Sequence, residues 1–298
     1  MKRKLHHVPS AFIKSLWEHA KTNKVAYIIF VVLNVATVLT MLRCIFEKRP
    51  EGVLFSALAL VLLLLPPFIK KSFRVELPTL LEAVAYFFVF CAQILGEINS
   101  FYTKVPYWDT MLHTVCGFIF AAFGFCLFDI FNKNRRSKFE LSPFFLTLLA
   151  FCFSITIGTV WEFFEFAVDT VTVGDMQRDT VIGAFGSTFL NPDKLNSVIY
   201  VKEIEKTLIY TKNGVIEING YLDIGLIDTM KDMFVNFVGA FIFSIFGYTY
   251  IKTRGKGRVA SQFIPVFKGD HTEADTSNDQ TIEPVKDENE NTKETELI

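Results

Sequence analysis

Apolar residues occupy six stretches of the chain, each close to the length of about 20 residues that an α-helix needs to cross a bilayer. The stretches lie at 24–45, 52–69, 77–97, 109–131, 144–169 and 228–251. Pro66-Pro67 falls near the end of the second stretch and predicts a helix end or a kink there, because proline removes a backbone donor. The pattern predicts an all-α integral membrane protein, a six-transmembrane-helix bundle covering residues 24–251.

The connection between the fifth and sixth stretches, at 170–227, follows a different pattern. Residues 174–187 are rich in glycine and polar side chains, and alternating apolar residues follow in three short runs at 198–204, 207–211 and 215–218. Asn213-Gly214 between the last two runs is typical of a type I′ hairpin turn. We therefore expect a small β-meander insert on the outer side, between helices five and six.

Lysine and arginine predict the orientation, because they are enriched in cytoplasmic loops. They cluster before the first stretch and in every second connection after it: Lys2, Arg3, Lys4, Lys14, Lys21 and Lys24; Lys70, Lys71 and Arg74; Lys133, Arg135, Arg136 and Lys138; Lys252, Arg254, Lys256 and Arg258. Both termini are thus predicted to be cytoplasmic, in a multi-pass protein of the plasma (cell) membrane. No small-residue cleavage site follows the first stretch, so it is predicted to remain as an anchor.

The two ends of the chain are more polar than the bundle. Residues 1–23 are predicted to form a cytoplasmic amphipathic segment, whose apolar face would hold Phe12, Ile13, Leu16, Trp17 and Ala20. Residues 252–298 are predicted to form a disordered acidic cytoplasmic tail, since ten Asp/Glu accompany two Lys from Asp270 onward. A basic cytoplasmic partner is one hypothesis for this tail, and a solvated tail without a partner is the alternative.

Composition agrees with a protein whose main partner is the lipid bilayer. Hydrophobic residues make up 51% of the 298, and 33 are Phe, which is more apolar surface than a soluble domain of this size needs. The five cysteines lie in or beside apolar stretches without CxxC or Cys/His spacing and are interpreted as small buried hydrophobes. The chain has no standard nucleophile or nucleotide motif, and no basic, aromatic surface that would favour nucleic acid.

Acidic residues interrupt three of the apolar stretches, all at ends that the predicted orientation places outside. They are Asp109 with His113 in the fourth stretch, Glu162, Glu165 and Asp169 in the fifth, and Asp228 and Asp232 in the sixth. Spacings of three and four residues put each set on one helix face. Ionisable groups inside a span are costly unless they are paired, hydrated or bound to a cation, so the three faces predict one outward-facing Asp/His/Glu pocket.

Two interpretations compete at these positions. Asp109 and Asp228 begin helices, where a carboxylate caps free N–H groups. That explanation fails for Asp169 at a helix C-terminus, and for His113, Glu162 and Asp232 inside the spans. Crowded carboxylates must share protons or bind a cation. A hard divalent cation is therefore one hypothesis for a cofactor, with candidate ligands His113, Glu162, Glu165, Asp169, Asp228 and Asp232.

The motifs also carry a family resemblance. Tyr102-Thr-Lys-Val-Pro106, Asp109-xxx-His113, Glu162-xx-Glu165 and Asp228-Thr-xx-Asp232-Met233 resemble, in order and spacing, the YjdF-like bacterial membrane-spanning family. The late Asp-xxx-Asp-xxx-Asn run is more distantly similar to VanZ-like proteins. Thr110-Met111-Leu112 stands where the YjdF-like pattern has Arg-Ile-Gly, and residues 170–227 include an added β-rich segment. The resemblance implies a fold and a site, and no particular activity.

Three classes of function fit this pattern. The first is an enzyme acting on envelope or lipid-linked substrates, with Asp109, His113, Glu162 and Asp232 as candidate catalytic residues: Glu162 or Asp232 as general base, His113 as ligand or acid, Asp109 as its orienter. The second is an ion- or proton-coupled carrier, which the apolar inner halves, with Asn34 as their main polar residue, disfavour. The third is a structural or assembly protein without catalysis, in which the polar network joins helices.

Overall fold

Six helices long and apolar enough to cross a membrane run through the computed structural model, which describes residues 23–73, 75–133, 141–172, 174–253 and 260–267. The spans are Lys24–Phe46, Pro50–Phe73, Thr79–Ile98, Trp108–Asn132, Pro143–Thr172 and Leu226–Lys252. The six predicted spans are thus confirmed. Large apolar side chains such as Val35 (53% exposed), Phe163 (68%) and Phe234 (65%) face outward, as the lipid-facing side of a bundle requires.

Two of the spans are interrupted helices. The second consists of α2 (Pro50–Leu62) and α3 (Leu65–Phe73), and the break lies just before the two prolines, which occupy the first turn of α3. The third consists of α4 (Thr79–Phe90) and a π-helix (Cys91–Ile98) that follows it directly. A π-helix is rare and frequently marks a functional region.

The remaining helices are α1 (Lys24–Phe46), the short α5 (Phe101–Lys104), α6 (Trp108–Lys133), α7 (Pro143–Thr172) and α8 (Leu226–Lys252). The backbones of α6 and α8 approach closely where glycines remove side chains. A methyl group on Gly239 would overlap the carbonyl oxygen of Thr114, and one on Gly117 would overlap that of Asn236. Ser154 of α7 donates a hydrogen bond to the Gly117 carbonyl at 2.7 Å, so α6, α7 and α8 form one tightly joined unit.

The main hydrophobic core lies between α6, α7 and α8 and includes a segment from beyond the last helix. Phe125, Leu146 and Phe243 are buried there together with Ile264, which is 1% exposed. Ile264 belongs to residues 260–267, where a 3₁₀ turn (Ala260–Gln262) precedes β8 (Val266–Phe267), and β8 pairs antiparallel with β1 (Val75–Glu76). This differs from the disordered tail expected from residue 252, because apolar side chains at 263–264 pack into the bundle.

A buried ion pair lies at the end of the bundle opposite the acidic pocket. Glu82, in the first turn of α4, has a fully buried side chain that meets Lys70 Nζ at 3.1 Å. Tyr86 donates a hydrogen bond to the same carboxylate at 2.9 Å. The expectation that this half of the bundle is apolar is therefore wrong at this place, since an acid and a base there compensate each other.

The insert between α7 and α8 contains antiparallel strand pairs, as expected, but they are nested and do not form a meander. β2 (Val181–Ile182) pairs with β7 (Tyr221–Leu222), and the pairs β3 (Phe185–Ser187) with β4 (Ile199–Val201) and β5 (Thr207–Thr211) with β6 (Gly214–Ile218) lie between them in the chain. In the β5–β6 hairpin Thr211 faces Gly214, so the turn is Lys212-Asn213 and not Asn213-Gly214. Neither turn residue has a positive φ, which a type I′ turn requires.

Some expectations concern residues outside the described ranges. These are the amphipathic face within 1–22, the basic loop at 134–140 and the acidic tail beyond residue 267.

Candidate functional site

α6, α7 and α8 bring four of the predicted residues into one cluster. Asp109 and His113 share a face of α6, with Nε2 of the imidazole 3.6 Å from Oδ1 of the carboxylate. The other ring nitrogen, Nδ1, lies 3.7 Å from Oε1 of Glu162 on α7. One ligand atom each from Asp109, His113 and Asp232 of α8 lies within 4.8 Å of the others. We call these four residues the acidic cluster.

Two carboxylate oxygens in the acidic cluster are buried without a partner. Glu162 is 3% exposed and Asp232 is 2% exposed. Among the described residues, Oε2 of Glu162 and Oδ1 of Asp232 accept no hydrogen bond. Buried polar atoms are nearly always satisfied, and an unsatisfied carboxylate oxygen is costly in an apolar surrounding. A ligand that supplies positive charge or donors would satisfy both atoms.

The polar stripe of α8 continues below the acidic cluster to Asn236, which is 3% exposed. Its side chain lies against Gly158 of α7, where an added methyl group would overlap the amide nitrogen. Small residues on α6 and α7 therefore let the three helices pack closely next to the acidic cluster. All four residues of the cluster lie on helices.

The other three predicted ligands have different partners. Asp169, at the end of α7, accepts hydrogen bonds from the backbone N–H groups of Met176 (2.7 Å) and Gln177 (2.8 Å). Glu165 accepts one from the indole nitrogen of Trp161 at 2.7 Å. Asp228 accepts one from the Arg178 backbone N–H at 3.0 Å, and Lys231 lies 3.8 Å from its other oxygen. Asp169 and Asp228 therefore hold the start of the insert, whereas the bond of Glu165 lies within α7.

The insert contributes contacts that the sequence reasoning missed. The side-chain amide of Gln177 donates a hydrogen bond to Thr229 Oγ1 at 2.6 Å, which ties the insert to α8. Arg178 donates to the carbonyl oxygen of Tyr102, and its guanidinium carbon lies 5.0 Å from the centre of the Tyr102 ring. The sequence signal for these contacts was the glycine-rich, polar composition of residues 174–187, next to the acidic helix ends. That composition did not predict which residues of the bundle the segment would contact.

A cavity of about 210 Å³ adjoins the acidic cluster. It is lined by residues 102–109 and by Arg178, Asp228 and Lys231. Asp109 belongs to both the cavity and the cluster, so the two adjoin at this residue. Burial, followed by the charges of Asp109, Glu97 and Glu165, raises the pKa of Tyr102 and keeps its hydroxyl protonated, although Arg178 opposes the shift.

The π-helix supports the same region from the side of α4. The Tyr102 ring packs on Gly96, where any Cβ would overlap it. Gln93, one turn earlier, keeps its Oε1 buried without a partner among the described residues. The π-helix thus fixes the ring on which Arg178 stacks, and it brings Gln93 and Glu97 to the same end of the bundle as the acidic cluster.

Asp223 fixes the junction between the insert and α8. Its carboxylate accepts hydrogen bonds from the backbone N–H groups of Thr180 (2.6 Å) and Ile227 (2.8 Å). Burial opposes ionisation, but these backbone donors outweigh it and lower the pKa of Asp223. We expect Asp223→Ala to lower the free energy of unfolding by about 1–2 kcal/mol, as loss of a helix cap does, whereas Asp193→Ala at an exposed position should change it little.

The pH dependence has a definite sign, because the folded state favours the ionised form of Asp223. The contribution of Asp223 is complete above the pKa of the unfolded chain, 3.8, and is lost as the pH falls through the lower folded value. Thermal unfolding of both variants at pH 7 and below pH 4 tests this. An Asp223→Ala deficit that persists undiminished at the lowest pH would contradict the ionised cap.

A membrane-embedded helical bundle with an acidic, partly unsatisfied polar site at one end is the class that the fold and the site define. The family described as Predicted membrane protein (DUF2238) matches residues 26–253, so the chain belongs to that family. An uncharacterized protein of Thermotoga maritima is 28% identical over 102 residues, which is 34% of this chain and 50% of that relative. The match thus spans half the length of the relative. No solved structure matches the chain significantly.

Proposed function

We propose that this protein is a cation-dependent membrane enzyme acting on an envelope or lipid-linked substrate. The observation that carries the proposal is the convergence of a ligand triad, Asp109, His113 and Asp232, with two buried carboxylate oxygens that accept no hydrogen bond among the described residues. An imidazole with carboxylates suits a divalent cation such as Mn²⁺, Mg²⁺ or Zn²⁺. The ion would compensate charges that are otherwise too costly to bury together.

The four residues of the acidic cluster have distinct roles in this proposal. Asp109, His113 and Asp232 ligate the cation, because their ligand atoms lie within 4.8 Å of one another. Glu162, 3.7 Å from the imidazole, is the general base for a water molecule bound to the cation. Its free oxygen supports this assignment, since a base needs an acceptor position that no other group occupies.

The test is a search for cation-dependent chemistry on lipids. Full-length protein in nanodiscs is incubated with a bacterial envelope lipid extract, with Mn²⁺ or with EDTA, and the lipids are compared by mass spectrometry. We expect a mass change that requires Mn²⁺ and is lost in Glu162→Gln. Glu217→Gln on the exposed β5–β6 hairpin is the matched control and should keep the activity. Cation binding without any lipid conversion would overturn the enzymatic proposal.

One observation favours a carrier as the second candidate. The Lys70–Glu82 pair places ionisable groups at the end of the bundle opposite the acidic cluster, where a carrier would need them. The core between the two ends is apolar around Phe125 and Phe243, which disfavours a carrier. Cation uptake into proteoliposomes, without lipid conversion, would favour the carrier. A stability loss on substitution, with neither activity, would favour a structural protein.

Several finer assignments belong to the same proposal. We propose that the protein lies in the plasma membrane with both termini cytoplasmic, which places the acidic cluster on the outer side. The chain's motifs support placing it with the YjdF-like proteins. Residues 1–23 are proposed as an amphipathic cytoplasmic segment. The acidic stretch from Asp270 onward is proposed as a tail, with a basic partner as one possibility and plain solvation as the other.

A further inference from the structure

The cavity beside the acidic cluster has a composition that none of the assignments above explains. Among its lining side chains, three are cationic, namely Lys104, Arg178 and Lys231, and two are carboxylates, Asp109 and Asp228. The lining alone thus carries a formal charge of +1, which favours an anion, and a divalent cation in the acidic cluster would make the region more positive.

The three cations differ in how many contacts hold their side chains in place. Arg178 is fixed, because it donates to the Tyr102 carbonyl and stacks on the Tyr102 ring. Lys231 is held loosely, since its side chain is 43% exposed and lies 3.8 Å from Asp228. Lys104 is exposed and donates to the Asn99 carbonyl at 3.2 Å. A fixed guanidinium with two adaptable ammonium groups is typical of sites that bind phosphate oxygens.

A further donor lies in the wall of the cavity. Trp108 lines it, and its indole Nε1 is buried and donates no hydrogen bond among the described residues. Indole N–H groups usually find an acceptor when they are buried. The acidic cluster thus has carboxylate oxygens without a donor, and the cavity wall has an indole N–H without an acceptor, among the described residues. This combination is expected where a cation and an anion bind next to each other.

We propose that this cavity binds the phosphate group of an anionic substrate, with Lys104, Lys231, Arg178 and Trp108 on its oxygens and the cation of the acidic cluster beside it. The inference rests on the proposed function and names its substrate class. The volume of about 210 Å³ accommodates a phosphate or pyrophosphate group together with a small part of what it esterifies. The cavity lies where α6 and α8 begin, beside the 79%-exposed Tyr107, so a lipid phosphate and a soluble phosphate both have access.

The experiment uses full-length protein in phosphatidylcholine nanodiscs with Mn²⁺. Binding of inorganic phosphate and pyrophosphate is followed by the paramagnetic broadening of their ³¹P signals by protein-bound Mn²⁺. A second arm replaces part of the phosphatidylcholine by phosphatidic acid, whose phosphomonoester serves as the lipid probe. We expect broadening in at least one arm, and the arm that responds identifies a soluble or a lipid-borne phosphate.

Variants separate the anion site from the cation site. Lys231→Gln should weaken phosphate binding roughly tenfold, since it removes a charged donor, and Trp108→Phe should weaken it about threefold by removing one N–H. Trp108→Phe should leave the affinity for Mn²⁺ unchanged, and Lys231→Gln should not weaken it, because it removes a positive charge beside Asp228 at the edge of the acidic cluster. Lys206→Gln, beside the exposed hairpin, should change neither affinity. Mn²⁺ binding without phosphate broadening, or broadening insensitive to both variants, would overturn the inference and leave the proposed function standing. Absence of Mn²⁺ binding would instead overturn the proposed function and, with it, this inference.

Discussion

Exchange of Asp232 for asparagine is expected to lower the affinity for Mn²⁺ by about 100-fold or more, while the protein without cation becomes more stable. The loss of affinity follows because the variant removes one of three ligands, and even outer-shell changes at metal sites cost about 10–100-fold. The gain in stability follows because Asp232 is 2% exposed and its Oδ1 accepts no hydrogen bond among the described residues. Removing such a charge should raise the free energy of unfolding by about 1 kcal/mol.

Thermal unfolding in detergent, with EDTA and with Mn²⁺, separates the two effects, and electron paramagnetic resonance titration gives the affinity. Mn²⁺ at 100 times its Kd should stabilise the wild-type protein by about 2.7 kcal/mol and the Asp232→Asn variant far less. The matched control is Asp193→Asn, at an exposed position of the insert. A variant that is less stable than wild type in EDTA would contradict a binding site and would favour a network that joins helices.

This opposition between stability and binding follows from how the acidic cluster is built. Helices that meet through glycines hold the backbones of α6, α7 and α8 close together around Asn236, one turn beyond Asp232. Lys231, the nearest lysine along α8, lies against Asp228 instead. The bundle therefore supplies rigid positions for the carboxylates and little compensation for their charge. Binding energy from a ligand is the physical means by which such an arrangement is compensated.

The spans and the meeting of the acidic faces could be predicted because both depend on local periodicity. A run of about 20 apolar residues specifies a span, and residues such as Asp109 and His113 four positions apart must share a helix face. Polar faces on neighbouring helices then turn inward, since lipid excludes them. Loop charges further predicted that the three acidic ends lie on the same side, which the described helices agree with.

Other parts of the site depend on tertiary contacts that no local pattern contains. Gln177 and Arg178 reach the bundle only because the insert folds back over the ends of α7 and α8. Asp169 illustrates the limit of an argument from the helix dipole. A carboxylate at a helix C-terminus is unfavourable for that helix, but two backbone N–H groups of the following loop satisfy it. A structural explanation therefore exists where the sequence favoured a functional one.

The end of the bundle opposite the acidic cluster shows the same limit. Lys70 and Glu82 are 12 positions apart on different helices, and only the turn between α3 and α4 brings them together. Ile264 lies in a segment that is too short, and too mixed in composition, to predict a span. Its side chain nevertheless belongs to the same core cluster as Phe243. Burial of single apolar side chains from outside the helices is set by the shape of the space that the helices leave.

Substitution of Gly239 by alanine should destabilise the protein most among single-methyl changes, by about 3 kcal/mol. The added methyl group would overlap the carbonyl oxygen of Thr114, and that atom belongs to the backbone of α6, which cannot move aside without separating two helices. Gly247→Ala should cost less, since its nearest neighbour is the Phe125 ring at 3.2 Å and a side chain can adjust. Gly183→Ala is the matched control, because no heavy atom lies within 4 Å of its added methyl group.

The series is measured as the unfolding temperature of the three variants in one detergent, together with their affinity for Mn²⁺. We expect the order Gly183, Gly247, Gly239 in increasing loss of stability. Gly239→Ala should also weaken cation binding, because Gly239 lies two turns beyond Asp232 and its displacement moves α8 away from His113. Equal stability of the three variants would show that α6 and α8 do not meet through glycine, and the geometry of the acidic cluster would then lose its support.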